Sequence, residues 1–252
     1  MTDVALPPPA ATGFFIRIVR NPKIELWIVW WAMFAFYQIM FFAYFVLTRV
    51  MPPPKPYWTT QRIVEWFVTN HFGIQLGYVL LYLTLGFAGW ATALIGYLLS
   101  RMSVTPAFGY AYIGVMTVGT LPGALFNAYA LTIATWRPDR APQLIAFLYD
   151  FGMATYVGSM GCFFAGSFIL TVAILLDRNN ILPRWFGYSC IWNLTTEFAV
   201  ATMWVVHQGP FGWDGSIAFW VNTVVYMFWQ TLYIIALFLG IRNLPAGRPA
   251  RE

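Results

Sequence analysis

From residue 24 to residue 241 the chain returns, after each short connection, to an apolar run long enough to cross a bilayer. Six such runs follow one another, near 24–48, 73–99, 107–134, 144–176, 185–206 and 217–241. A hydrocarbon core of about 30 Å needs roughly 20 apolar residues of helix. Nearly the whole chain is consumed by such segments, which leaves no room for a separate soluble domain. Only 9% of the residues are charged, against roughly 25% in an ordinary soluble domain, so a water-facing surface cannot be assembled from this inventory. The sequence therefore reads as all-α, a polytopic transmembrane helical bundle of six spanning helices. An interfacial amphipathic helix is expected between the first and second.

Residues 1–22 read as a disordered cytoplasmic tail, because the prolines of "MTDVALPPPAATG" oppose helix and nothing there builds a core. Residues 23–243 form the single six-helix domain, and 244–252 a short cytoplasmic tail. The first run follows Arg17, Arg20 and Lys23 but is too long and bulky for a cleaved signal sequence, so it is expected to remain as a helix. With both termini inside, the inner side holds Arg17, Arg20, Lys23, Arg101, Arg178, Arg184, Arg242, Arg248 and Arg251. The outer side holds the other five of the fourteen basic residues, Arg49, Lys55, Arg62, Arg137 and Arg140. That asymmetry places both termini in the cytoplasm and the protein in the inner (plasma) membrane. No basic run suggests nucleic acid.

The longest outer connection starts with "MPPPKPYW", an extended strap, since consecutive prolines favour the polyproline conformation. The following "TTQRIVEWFVTNHF" separates Arg62, Glu65 and Thr69 from Ile63, Trp66 and Phe67, as a helix lying along the interface would. Between the fifth and sixth runs, "VVHQGPFGWDGSIAFW" supplies turn glycines and interface tryptophans. Gly119 and Gly123, and Gly158, Cys162 and Gly166, have the spacing of close helix contacts. Pro122 is expected to kink its helix. Neither Cys162 nor Cys190 lies in an outer loop, so a structural disulfide is not expected.

Glu197 carries the most information. It lies twelve positions beyond Trp185, or ~18 Å into the membrane, where a carboxylate is costly and is expected to face the bundle interior. Asn193 and Cys190 precede it on the same stripe. Asn222, Tyr226, Gln230 and Tyr233 make a matching stripe on the last helix, and Asn127, Tyr37, Gln38, Gln75, Tyr78 and Tyr82 can add to the seam. This seam is either a ligand cavity or proton path, or a hydrogen-bonded network that fixes helix register. A second group, His71, His207, Glu65, Asp150, Arg137 and Arg140, gathers at the outer surface, with Asp139 and Asp214 at similar depth. It lacks the fixed spacing of a known metal site, and solvated interface residues explain it as well. Asp150 is the member expected to be buried, paired with Arg137 or Arg140.

Absences limit the chemistry further. Two histidines cannot furnish a many-histidine iron site, neither lysine sits within a helix core for a retinal Schiff base, and there is no H-E-x-x-H, G-x-S-x-G or P-loop. No cofactor or metal is predicted, although haem on His71 and His207, or a bound lipid, is compatible with the sequence.

The pieces "WRPDRAPQLI", "LPRWFGY" and "GPFGWDGSIAFW" resemble the recurring pattern of a family of uncharacterised bacterial integral membrane proteins, over roughly residues 50–241. The resemblance implies a six-helix membrane protein with no established activity, and His71 and His207 stand outside its pattern. Three functional classes follow. The leading one is a non-enzymatic membrane protein that holds a lipophilic molecule or packs against other membrane subunits or copies of itself. The second is a proton-coupled carrier centred on Glu197. The third, a membrane enzyme acting on a lipid or isoprenoid, lacks a recognisable nucleophile or metal constellation.

Overall fold

The computed structural model of the protein describes residues 21–137, 139–158 and 160–245. The expected tails lie almost wholly outside the described residues, as do the side chains of Pro122 and Gly158. Every regular element among the described residues is helical. α1 (Ile24–Phe42) continues into a π-helical turn (Ala43–Leu47), and α2 (Thr60–Thr84) meets α3 (Gly86–Ser100) at Leu85. α4 (Ala107–Ala134), α5 (Pro142–Gly158) and α6 (Met160–Leu176) follow. α7 (Arg184–Val200) passes into a 3-10 turn (Ala201–Trp204), and a π-helical turn (Ser216–Val221) leads into α8 (Asn222–Asn243).

Among the described residues, three stretches are long and apolar enough to cross a membrane: Ile24–Leu47, Ala107–Ala134 and Gly209–Asn243. The α2–α3 pair, bent by 41°, makes a fourth if it is one span. Large apolar side chains point outward from these helices, among them Trp31, Leu83, Val118 and Val224. Such a surface suits hydrocarbon better than water.

Two boundaries differ from the sequence expectation. No break separates an interfacial helix from a span beginning at residue 73, because α2 is continuous from Thr60, capped by the Thr59 hydroxyl on the Arg62 backbone N–H. The break comes instead at Leu85. There the Thr84 hydroxyl donates to the Leu80 carbonyl at 2.8 Å, and Gly86 follows; back-bonding of this kind beside a glycine bends helices. The fifth run also ends early, its α-helix stopping at Val200 and not near 206. Through Pro122 the helical run of α4 is unbroken.

Sequential helices pack as neighbours, α4 against α5, α6 against α7, and α7 against α8. Glycines set the closest approaches. A Cβ on Gly119 would come within 1.7 Å of the Cys162 sulfur, and one on Gly109 within 2.5 Å of the Gly96 carbonyl oxygen. Both cysteines are free. The two ends of the described chain meet where the Lys23 ammonium donates to the terminal carbonyls of α8, Ile241 at 2.8 Å, Arg242 at 3.0 Å and Leu244. A cation there satisfies carbonyls that have no partner within the helix.

The buried apolar side chains fall into two main clusters. One, at the end bearing Lys23 and Leu244, contains Trp30, Leu98, Met116, Ile174, Phe186 and Trp229. The other, beneath the strap, contains Tyr44, Ile63, Phe67, Tyr78, Leu131 and Tyr149. Asp177 ties two turns together at the Lys23 end. Its carboxylate accepts from the backbone N–H of Ser103 (2.8 Å), Asn179 (3.1 Å) and Ile181 (3.0 Å), and from the Ser103 hydroxyl (3.0 Å). Burial opposes its charge, but these donors outweigh burial and hold the Asp177 carboxyl below the usual carboxylate range.

Two outcomes follow. Gly119→Ala should lower thermal stability in detergent by about 1–3 kcal/mol through overpacking against Cys162, and Gly119→Ala with Cys162→Gly should recover most of the loss. Gly114→Ala, whose added Cβ meets no atom within 4 Å, should be neutral in the same melt. Asp177→Ala should cost about 1–3 kcal/mol, because four donors lose their acceptor. Since the folded-state pKa is depressed, this stabilisation is present above the unfolded value of about 3.9 and fades as pH falls through the folded one. A pH series of wild-type and variant melts should converge in acid.

Candidate functional site: an aromatic chamber

A cavity of about 180 Å³ lies where the two apolar clusters fail to meet, and its walls take Tyr112, Met116, Trp229 and Tyr233 from one and Tyr44, Leu81 and Ala128 from the other. Helix irregularities bring much of the lining into place. Tyr44 sits in the first π-helical turn, Ala218 and Phe219 in the second, and Leu85, Ala88 and Gly89 at the α2–α3 bend. Each π turn inserts an extra residue and rotates the side chains beyond it, a device frequent at functional sites.

Polar groups are few on this apolar wall. Glu197, in the last turn of α7, is 2% exposed and lines the chamber with Asn222, Tyr226 and Gln230 of α8. The Tyr37 hydroxyl of α1 lies against the Gln230 side chain. Among the described residues, seven buried side-chain polar atoms have no hydrogen-bond partner. Five belong to chamber residues: both Glu197 oxygens, Asn222 Oδ1, Gln230 Nε2 and the Tyr82 hydroxyl. Buried polar atoms are otherwise almost always paired, and five of the seven exceptions among the described residues fall on residues of this one cavity.

The remaining seam residues serve a different purpose. Asn127 accepts from the Tyr78 hydroxyl at 2.6 Å and donates to the Gly152 carbonyl at 2.8 Å, joining α2, α4 and α5. Asn193 donates to the Ser167 hydroxyl at 2.9 Å, joining α7 to α6. Cys190 accepts from the Trp229 indole N–H at 3.4 Å. Gln75 donates to the Thr135 hydroxyl at 3.0 Å. The sequence grouped all of these with Glu197 by polarity and spacing; the structure makes them cross-links between helices, with Asn193 Oδ1 alone among their buried amide atoms left unpaired, and leaves Glu197, Asn222 and Gln230 on the chamber with unpaired atoms.

At the strap end, the outer cluster does not converge. Glu65, His71, Arg137 and His207 are exposed, and the His71 ring contacts the Val68 carbonyl of its own helix at 2.9 Å. The expectation that Asp150 is buried against Arg137 or Arg140 is not met: Asp150 is exposed, and Arg140 instead donates to the Ile133 carbonyl at 2.8 Å. Asp150 lies on the outward side of α5 while Tyr149 beside it takes the inward one, which residue spacing to a loop cannot decide. Among the described residues no three His, Cys, Asp or Glu side chains group as metal ligands.

Sequence reasoning missed the contact that does form there. Lys55 of the strap donates to Asp214 at 3.0 Å, the Trp213 indole donates to the Pro54 carbonyl at 3.0 Å, and the Tyr149 hydroxyl to the Lys55 carbonyl at 2.8 Å. The hydrogen bond from Asp214 pushes the Lys55 ammonium up from its ordinary value. The loop rich in glycine and tryptophan thus binds the proline strap, and Met51 of that strap reaches the chamber wall. In comparisons with known families, curated proteins and solved structures, nothing matches this chain.

The contrast between paired and unpaired groups predicts opposite stability effects. Asn127→Leu should destabilise by about 1–3 kcal/mol, because Tyr78 and Gly152 each lose a buried partner. Glu197→Met should leave the ligand-free protein as stable or more so, since it removes two unpaired oxygens. Thermal melts in the same detergent check both, and a large loss on Glu197→Met would mean that the carboxylate fixes helix register.

Proposed function

We propose that this chain is a multi-pass membrane protein of six crossings that holds a small lipophilic molecule in the aromatic chamber. In this reading the α2–α3 pair is one bent span, α5 with α6 another, and α7 with its 3-10 turn a third, beside the three longer stretches. Counted along the sequence, nine basic residues fall on the expected inner side and five on the outer, which supports cytoplasmic termini under the positive-inside tendency. An inner-membrane setting and a bacterial family of six-helix proteins, suggested by the loop motifs, belong to the same proposal.

The observation that carries the binding function is the set of five unpaired polar atoms on chamber residues. A cavity walled by tyrosine, phenylalanine and methionine favours an apolar body, and a few polar groups on one side orient it, the usual composition of a small-molecule site. The volume of about 180 Å³ slightly exceeds that of an engineered apolar cavity of roughly 150 Å³ that admits benzene. A second reading, a carrier that exchanges protons for its cargo, draws on the same buried Glu197. It requires that Glu197→Gln abolish the pH dependence of transport.

Gentle purification in native lipid followed by mass spectrometry should find a small lipophilic molecule near one per chain. Gly89→Trp should reduce its occupancy severalfold, because a Cβ added at Gly89 meets no atom within 4 Å and the chamber lies beside it. Unchanged occupancy in Gly89→Trp would place the molecule elsewhere.

A further inference from the structure

The chemistry of the chamber narrows the ligand, on the assumption that the chamber binds one at all. Among the described residues, Glu197 is the one carboxylate of its lining and has no hydrogen-bond or ion-pair partner, and no Lys, Arg or His lines it. An anionic ligand would meet uncompensated repulsion across a low-dielectric space. A neutral hydrocarbon would leave both Glu197 oxygens and Asn222 Oδ1 unpaired, at the cost of a buried polar group without a partner. A small inorganic cation needs about six oxygen ligands, whereas Glu197 and Asn222 together offer three unpaired acceptor oxygens. The aromatic faces of Tyr37, Phe163, Tyr226, Trp229 and Tyr233 line the same space; such faces attract organic cations, more strongly when desolvated.

We propose that the chamber takes a monovalent organic cation with an apolar body, its positive charge against the Glu197 carboxylate and its body among the aromatic rings. A one-ring alkylammonium suits a cavity of this size. The Asn222 Oδ1, an acceptor, then sets the orientation of the head, and the Tyr82 hydroxyl lies at the α2–α3 side of the wall.

Two probes of one shape test the charge. Benzyltrimethylammonium and its uncharged carbon isostere, 2,2-dimethylpropylbenzene, differ only in nitrogen against carbon. Each is titrated into the full-length protein in lipid nanodiscs, and saturable thermal stabilisation is read as binding. The cation should bind about tenfold or more tightly than the isostere. Glu197→Gln should erase that preference, the two probes then binding with similar affinity. Equal or tighter binding of the isostere to the wild-type chain overturns the cation assignment and leaves the chamber reading standing. Saturable binding of neither probe overturns both. The wild-type comparison decides the charge even if Glu197→Gln fails to fold.

Discussion

The rule that a polar group in apolar surroundings must find its partner within the protein governs this molecule throughout. The backbone meets it by being helical wherever it is regular. Many of the hydroxyl side chains meet it locally, as Thr69, Thr155, Thr171 and Thr195 do by donating to the carbonyl four residues earlier. The longer polar side chains meet it across helices. Asn127 with Tyr78 and Gly152, and Asn193 with Ser167, cross-link neighbouring segments. Against that background a carboxylate with two unpaired oxygens stands out. Leaving it so is costly in a low-dielectric interior.

The chamber exists because the helices are irregular. Ideal helices packed through glycine contacts would bring the two apolar clusters together. The π-helical turns at Ala43–Leu47 and Ser216–Val221 and the bend at Leu85 hold them apart. Those irregularities sit beside the places where Tyr44, Phe219 and Gly89 face the cavity. The strap and the glycine-rich loop then fasten one end through Lys55, Asp214, Trp213 and Tyr149, while Lys23 fastens the other to α8. Cavity shape and bundle closure are thus set by separate contacts, which lets the lining vary while the scaffold persists.

Much of the helical layout was legible because apolar run length and proline or glycine punctuation are local properties. Pro106 and Pro183 mark the starts of α4 and α7. The bend at Leu85 was not, since it depends on which carbonyl the Thr84 hydroxyl chooses. Polarity and spacing singled out Glu197, Asn222, Tyr226 and Gln230, but equally Asn127 and Asn193, whose partners lie on other helices. The outer cluster of His71, His207 and Asp150 looked plausible only because residues at similar depth need not be close around the circumference of the bundle.

The sequence by itself determined an apolar helical chain, the near-total lack of charge within its long runs, and the presence of Glu197 well inside one of them. These follow from composition and periodicity, which local chemistry enforces whatever the packing. Only the tertiary structure decided which polar residues are spent on one another and which are left facing open space. That distinction is relational: a hydrogen bond between Asn127 and Gly152, or its absence at Glu197, depends on distances between helices that no single helix encodes.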